Sequence, residues 1–476
     1  MRRRPAAPWD LLVVGGGTAG LVGAHTAATL GARVALVERD RTGGDCLWTG
    51  CVPSKALLAA ASAAADARAA ARLGVDVGDV RVDFARVRAH VQAAIRTLQP
   101  EDSPEALEAA GVTVLAGEAV LTGSDRARVG DREVRFRAAL LATGAAPLLP
   151  PVPGLAAAGP LTSDTVWDLE ELPGRVVVLG GGPIGCELGQ ALARLGAEVA
   201  LVEAADRLLP EEDADAAATV TAALCHDGVR VCTGAAAERV SPGALHLADG
   251  TRLPFDRLLV AVGRQARTDG LGCAVAGVDL RDDGTVAVDA TLRTSNPRVW
   301  AAGDVTGPPF FTHTAGMHGS VAAGNAVLGL ARRADPVVPR VTYTSPELAA
   351  VGTRPDEARA AGLTVRRVPH TRLDRAVAEG VTDGSTTLVL DRRRRVVGAT
   401  VVGPRAGETL AELTLAVRRG LRARDLAGTT HAYPTYDDAV VDAALDDLRA
   451  RLAAPVPAAL LRAVVRLRRW TDRGAR

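Results

Sequence analysis

The hydrophobic pattern opens with a short apolar run, Leu11-Leu12-Val13-Val14, that breaks into Gly15-Gly16-Gly17-Thr18-Ala19-Gly20 and then an alanine-rich stretch of helical character. A second run, Arg33 to Val37, ends in Glu38. Short β-branched runs bounded by glycine predict buried strands, so this order predicts a strand–turn–helix–strand unit. The order then recurs. Arg175 to Leu179 leads into Gly180-Gly181-Gly182-Pro183-Ile184-Gly185, a helical stretch, the run Glu198 to Val202, and Glu203. Between the two, Val82 to Gly111 predicts mostly helix, and Val112 to Leu115 and Glu133 to Leu141 predict strands. Prolines from Pro147 to Pro153 mark a linker. After Arg264 the chain returns through Val286–Val288 and Val299-Trp300-Ala301-Ala302-Gly303-Asp304. From about Arg340, strands at Val341–Tyr343, Thr386–Leu390 and Val396–Val401 alternate with helices, an α+β pattern.

Both glycine turns have GxGxxG spacing, at Gly15, Gly17 and Gly20 and again at Gly180, Gly182 and Gly185. Glycines at these places permit a tight turn and let a pyrophosphate approach a helix N-terminus. In each copy an acid, Glu38 or Glu203, follows the last glycine by 18 residues, where it can bind a ribose hydroxyl. Two such units 165 residues apart imply two nucleotides and electron transfer between two cofactors. The predicted class is therefore α/β, with two Rossmann-type dinucleotide-binding domains and a C-terminal α+β domain. Glu203 accepts from a free 2′-hydroxyl and repels a 2′-phosphate, which favours NADH over NADPH; Arg207 is the nearby cation that could argue otherwise.

Composition narrows the field. The 476 residues suggest two to four domains. With 56 Lys+Arg against 55 Asp+Glu, the net charge of +1 removes the electrostatic case for nucleic acid. No apolar run approaches the roughly 18 residues that span a bilayer. The basic Met1–Pro5 start, followed by a run broken at Asp10, does not read as a secretory signal. Six cysteines are too few for a disulfide scaffold, which makes the reducing cytoplasm the expected compartment. The chain has one lysine, Lys55, among its 56 basic residues. Lysine supplies a compact ammonium that a guanidinium cannot replace.

That lysine closes the stretch Gly43-Gly44-Asp45-Cys46-Leu47-Trp48-Thr49-Gly50-Cys51-Val52-Pro53-Ser54-Lys55. Two cysteines five apart sit on a glycine-bounded turn, and Pro53 suits the first turn of a following helix. A cysteine at a helix N-terminus has a stabilised thiolate, and a second nearby allows reversible disulfide formation. Zinc would need two further ligands, which the stretch lacks, so no metal site is expected. Lys55 falls one helical turn after Cys51, on the same side. Cys186, Cys225, Cys232 and Cys273 are expected to be buried small hydrophobes.

On these residues the chain resembles the flavoprotein disulfide reductases, the pyridine nucleotide–disulfide oxidoreductase family, in a branch near lipoamide dehydrogenase and mercuric reductase. The resemblance extends over Ala142-Thr143-Gly144, Glu187, Ala301-Ala302-Gly303-Asp304 and Pro434-Thr435, nearly the whole chain to about residue 448. It implies an FAD-binding domain over 1–149 that resumes at 269–338. It also implies an NAD(P)-binding domain over 150–268, a dimerisation domain over 339–448 and a separate tail over 449–476. It implies that Cys51 is the flavin-proximal sulfur, Cys46 the interchange sulfur, and Lys55 a partner of Glu187 beside the flavin. Glu38, Thr143, Gly144, Asp304, Thr314 and Ala315 would serve FAD, and Gly263 would join Glu203 in the nucleotide sites. The expected assembly is a homodimer in which the C-terminal domain completes the partner's site.

The chain departs from the family near its end. The stretch His431-Ala432-Tyr433-Pro434-Thr435-Tyr436-Asp437-Asp438 has Tyr433 where these enzymes carry an acid–base histidine, and Asp438 at the position of its orienting carboxylate. An ordinary tyrosine is a poor base at neutral pH. Mercuric reductases also carry tyrosine there, but they add a C-terminal cysteine pair, and here no cysteine follows Cys273. The leading expectation is an NADH-driven reductase of a small disulfide or dithiol. A metal ion or quinone is the alternative acceptor, with Tyr343, Tyr433 and Tyr436 around it, and a non-catalytic flavin-bearing subunit is the third reading. The tail, Leu460 to Trp470, reads as a basic amphipathic helix that packs on the dimer, with an anionic membrane surface as its other reading.

Overall fold

The computed structural model describes residues 7–474, so Met1–Ala6 and the terminal Ala475 and Arg476 lie outside the described residues. The chain divides into two compact units, one of residues 1–206 with 227–336, the other of 207–226 with 337–476.

The first unit holds a seven-stranded sheet with a parallel core, extended antiparallel by Arg126–Val129 and Ala119–Gly123, and a four-stranded parallel sheet. In the larger, Val112–Ala116, Val34–Glu38, Trp9–Val14 and Arg132–Leu141 lie side by side in that order, with Val299–Ala301 paired to the last. Val13 stands opposite Leu36 on one side and Leu140 on the other, so its β-branched side chain is enclosed by like neighbours. Leu11 and Val13 face one apolar cluster and Leu12 and Val14 the other. A run apolar at every position is what a sheet covered on both faces requires. The smaller sheet repeats the plan with Arg230–Cys232, Glu198–Val202, Arg175–Leu179 and Arg257–Val260.

Helices Thr18–Thr29 and Pro183–Leu195 leave the carboxyl ends of the two central strands. That is the edge at which doubly wound sheets bind nucleotides. A two-stranded antiparallel pair, Ala145–Pro147 with Arg264–Ala266, forms one of the links between the sheets, just after Thr143 and Gly144.

The second unit is built on a five-stranded antiparallel sheet ordered Arg340–Thr342, Glu347–Gly352, Val396–Gly403, Ser385–Leu390, Thr364–Pro369. Helices Ala406–Arg419 and Asp438–Leu452 supply Leu410, Leu413, Val440 and Ala444 to its core. The segment 207–226 belongs to this unit through Glu212, whose carboxylate accepts from Arg340 at 2.8 Å, and Asp215, which accepts from Arg367 at 3.0 Å. Among the described residues no helix is long and apolar enough to cross a membrane.

Candidate active site

The two glycine turns have the same backbone. Gly15 and Gly180 sit at φ +107° and +113°, in the region that favours glycine. A Cβ on Gly20 would stand 1.9 Å from the Gly15 carbonyl oxygen, and one on Gly185 would stand 1.9 Å from that of Gly180. The two helices are capped by Gly17 and Gly182, neither of which offers a side-chain cap, so their first amides point into the turn. The acids are wired alike. Glu38 accepts from the amides of Gly16 at 2.6 Å and Asp40 at 2.9 Å; Glu203 accepts from those of Gly181 and Ala205, both at 2.7 Å. Each carboxylate is thereby held at the end of its strand.

These turns fit dinucleotides, since a phosphate can reach the cap amides only where no Cβ intervenes. Around the first turn the fit extends further. Thr314, in the opening turn of the Thr312–Leu328 helix, has a buried hydroxyl with no partner among the described residues. Ala315 is buried beside it. Asp304 opens the short 303–306 turn after Val299–Ala301, and burial raises its pKa, against the pull of Arg264. Thr143 donates to the Arg267 carbonyl at 2.8 Å, and Gly144 turns the chain at φ +70°. Gly263 lies at φ +147° between the second sheet and the Arg264–Ala266 strand.

Between the turns lies the cysteine pair. The expected irregular turn is helical instead: Gly44–Trp48 is a short helix carrying Cys46, and Cys51 is the first residue of the Cys51–Ala69 helix, with Pro53 in its first turn. Two indoles hold the connection, Trp48 donating to the Thr42 carbonyl at 2.7 Å and Trp167 to that of Thr49 at 2.9 Å. The thiols are unlinked and hydrogen-bond each other. Their proton affinities are driven apart. Cys51 is lowered to about 6, chiefly by the hydrogen bond from Cys46, then by that from Thr312 and the Lys55 ammonium, with partial desolvation opposing. Cys46 is raised far above an ordinary thiol, first by retaining the proton it shares with Cys51 and then by burial. Thr312 Oγ1 lies 3.1 Å from Cys51 Sγ. Lys55 Nζ donates to Glu187 Oε2 at 2.8 Å, and that carboxylate is buried in the Pro183–Leu195 helix.

Asp45, the residue before Cys46, is bonded to Arg264 and lies 3.5 Å from Arg267; Arg264 reaches Asp304 at 3.5 Å and Arg267 reaches Asp164 at 3.5 Å. Sequence reasoning did not find this chain of charges, nor the hydroxyl of Thr312 on Cys51. Of the other cysteines, Cys186 and Cys273 are buried as expected. Cys225 is exposed, and Cys232 is half-buried, packed against the core of the second sheet.

The C-terminal residues group differently from the sequence expectation. Tyr433 is exposed and its hydroxyl donates to Asp374, which raises its pKa. Asp438 Oδ2 instead accepts from the Thr435 amide at 3.0 Å, at the start of the Asp438–Leu452 helix. His431 has both ring nitrogens engaged, Nδ1 with the Thr429 carbonyl at 2.9 Å and Nε2 with Glu412 at 3.1 Å. Partial burial lowers its pKa, but Glu412 outweighs this and leaves it raised. Tyr436 donates to Glu379 at 2.8 Å, and burial and that carboxylate push its pKa up to about 12.

Comparison with known proteins agrees with this architecture. Residues 9–319 match the pyridine nucleotide-disulphide oxidoreductase family and 338–444 its dimerisation domain. A dihydrolipoyl dehydrogenase of Thermus scotoductus is 37% identical over 455 residues, covering 92% of this chain and 96% of that protein. A mercuric reductase of Lysinibacillus sphaericus is 34% identical over 448 residues, covering 92% and 82%. Among solved structures, the Cu(II) complex of the HOCl-induced flavoprotein disulfide reductase RclA from Escherichia coli superposes with a TM-score of 0.83 at 28% identity, covering 92% of this chain and 99% of that one. LpdA from Mycobacterium tuberculosis gives a TM-score of 0.83 at 29% identity, with the same coverage. FAD and a pyridine nucleotide are the cofactors of these enzymes, and the dimerisation domain indicates a homodimer. The chain belongs to the pyridine nucleotide–disulphide oxidoreductase family and is an FAD-dependent oxidoreductase acting on sulfur.

Proposed function

We propose that this enzyme uses NADH to reduce a small-molecule disulfide through Cys46 and Cys51. The observation that carries the reading is the geometry of the pair: two unlinked thiols on adjoining helices, with Thr312 Oγ1 3.1 Å from Cys51 Sγ and Lys55 held by Glu187 one turn on, which lowers the Cys51 thiol and leaves the proton on Cys46. In a reduced pair one sulfur then stays a thiolate while the other keeps the proton. This suits a thiolate that exchanges electrons with a cofactor beside it and a protonated sulfur that meets substrate. Flavin, when bound, links two-electron transfer from the nicotinamide to sulfur chemistry. Thr312 and Lys55 hold the negative charge on Cys51, and Glu187 positions Lys55. Asp304, Thr314, Ala315, Thr143, Gly144 and Glu38 serve FAD over 1–149 and 269–338. Gly180, Gly182, Gly185, Glu203 and Gly263 serve the nucleotide over 150–268. For NADH over NADPH, the support is Glu203 together with Arg207, whose guanidinium is committed to the carbonyls of Leu209, Pro210 and Glu212.

Tyr433 and Asp438 of the partner subunit face the acceptor in this reading. Tyr433 acts as a hydroxyl donor, since its raised pKa rules it out as a base. His431, with both nitrogens engaged, does not stand in for one. Acceptors whose departing thiol needs no strong proton donor are therefore favoured. The test is anaerobic mixing of NADH-reduced enzyme with lipoamide and with an aromatic disulfide, for wild type and Cys46→Ser. Disulfide reduction is expected to fall by at least roughly 10³-fold in the variant while NADH oxidation by a quinone persists. Undiminished disulfide reduction by Cys46→Ser would overturn the proposal. A wild type that reduces only quinones or a soft metal ion would transfer the function to those acceptors.

A further inference from the structure

The last helix, Pro455–Gly474, takes no part in the site. Every residue from Ala459 to Thr471 is exposed, so both faces of the helix meet water in the protomer. The exposed residues are not polar all round. Val456, Leu460, Ala463, Val464, Leu467 and Trp470 follow the i, i+4, i+7, i+8, i+11, i+14 spacing that puts them on one stripe. The large apolar side chains of the helix are between 45 and 79% exposed. Arg462, Arg466 and Arg469 group on one side of the helix, from the edge of the stripe round to its back; Arg468 lies along the other edge, and Leu461 and Val465 fall outside the stripe.

The charge is segregated along the chain as well. From residue 448 to 471 there are six arginines and no acid, which leaves 50 basic against 55 acidic residues in the rest. A stripe buried against a second copy of this chain would leave the opposite face in water, where mixed charges serve as well as cations. Five arginines against the single acid Asp472, beside an exposed stripe, match an anionic bilayer surface, where arginine stems lie along the acyl boundary and the guanidiniums reach phosphates. Trp470, at the end of the stripe, suits the headgroup level. The helix is too rich in arginine to span. It also follows residue 444, where the match to the family's dimerisation domain ends.

We propose that this helix lies in the plane of an anionic phospholipid surface, apolar stripe down, and holds the enzyme at the membrane. This is independent of which acceptor the cysteine pair reduces.

The test uses the full-length flavin-loaded protein and vesicles of phosphatidylcholine with or without phosphatidylglycerol, in flotation assays at low and high salt. Wild type is expected to float with the anionic vesicles only, and to be released by salt. Arg462→Gln with Arg466→Gln and Arg469→Gln is expected to weaken partition roughly 100-fold, and Leu467→Glu at least about tenfold. Soluble NADH oxidation is unchanged in both. A blue shift of tryptophan emission on binding is expected in wild type and lost in Trp470→Phe. Failure of the intact wild-type protein to bind anionic vesicles overturns the proposal. So does an assembly larger than a dimer that Leu467→Glu dissolves, since the stripe would then be a contact between copies.

Discussion

In the first nucleotide turn the cysteine segment lies across the glycines; in the second, the equivalent place is open. The Gly43 amide donates to the Gly16 carbonyl at 2.9 Å, and a Cβ on Gly44 would meet Gly17 Cα at 2.6 Å. At Gly182, the counterpart of Gly17, a Cβ would meet nothing within 4 Å. Strand, turn, helix and acid otherwise follow the same plan. The difference teaches that one fold can hold a nucleotide in two ways. Under the proposed roles, a site roofed by its own chain would retain a resident flavin, and an open one would exchange a consumed coenzyme.

The comparison breaks first at the roof. Gly44 sits at φ +58°, so Gly44→Ala adds strain from the left-handed backbone to overlap with Gly17. Together these amount to about 3 kcal/mol, or roughly 100-fold weaker flavin retention. Measured as flavin lost on dialysis, this is the largest effect expected. Gly182→Ala should keep its flavin and melting temperature while its KM for NADH rises about tenfold. If Gly182→Ala sheds flavin as readily as Gly44→Ala, the two turns are not separable and the contrast fails.

A smaller effect tests the acids. Glu203→Gln keeps an acceptor for one of the two amides and removes the charge. NADH selectivity over NADPH, measured as a ratio of kcat/KM, is expected to shrink about tenfold. Glu38→Gln should leave that ratio where it was, because its carboxylate belongs to the other turn. A matched fall in both variants would mean that selectivity is not set at Glu203.

What the chain announces in advance is what it repeats or keeps local. Each glycine turn and its acid lie within about 25 residues, and Cys46, Cys51, Pro53 and Lys55 lie within ten. Such spacing survives folding because helix and strand periods carry it directly. The second unit was harder to read. Glu347–Gly352 is short and apolar on both faces, and Thr364–Pro369 interrupts its alternation with Arg366-Arg367, so neither has the period of a half-buried strand. Nor could any period assign 207–226 to a sheet that begins at Arg340. Pairings made by the tertiary fold were the other blind spot. Thr312 reaches Cys51 across 261 residues. Tyr433 turns to Asp374, 59 residues earlier, while Asp438, expected to orient it, is used to start a helix. Neither choice leaves a mark in spacing.

The finest contrast between the two turns lies in two cysteines with similar helical addresses. Cys51 is the first residue of its helix and Cys186 the fourth of the helix after the second glycine turn, both near an N-terminus, where the dipole favours a thiolate. Burial overrides it at Cys186, whose pKa is raised, and its sulfur donates to the Gly181 carbonyl at 3.4 Å. Cys51 goes the other way because Cys46, Thr312 and Lys55 all stabilise its anion. In NADH-reduced enzyme, iodoacetamide should therefore label Cys51 with a rate that rises through about pH 6 and is level by neutrality, while Cys186 stays unlabelled. The sign is that of a lowered acid: the thiolate is present above the lowered pKa and lost as pH falls through it. Thr312→Val removes one stabilising contact of three and should move the midpoint up by about one unit, with flavin content unchanged. A midpoint near that of a free thiol in wild type would show that the helix and its neighbours do not activate Cys51. Labelling of Cys186 at the same pH would show that burial does not distinguish the two turns.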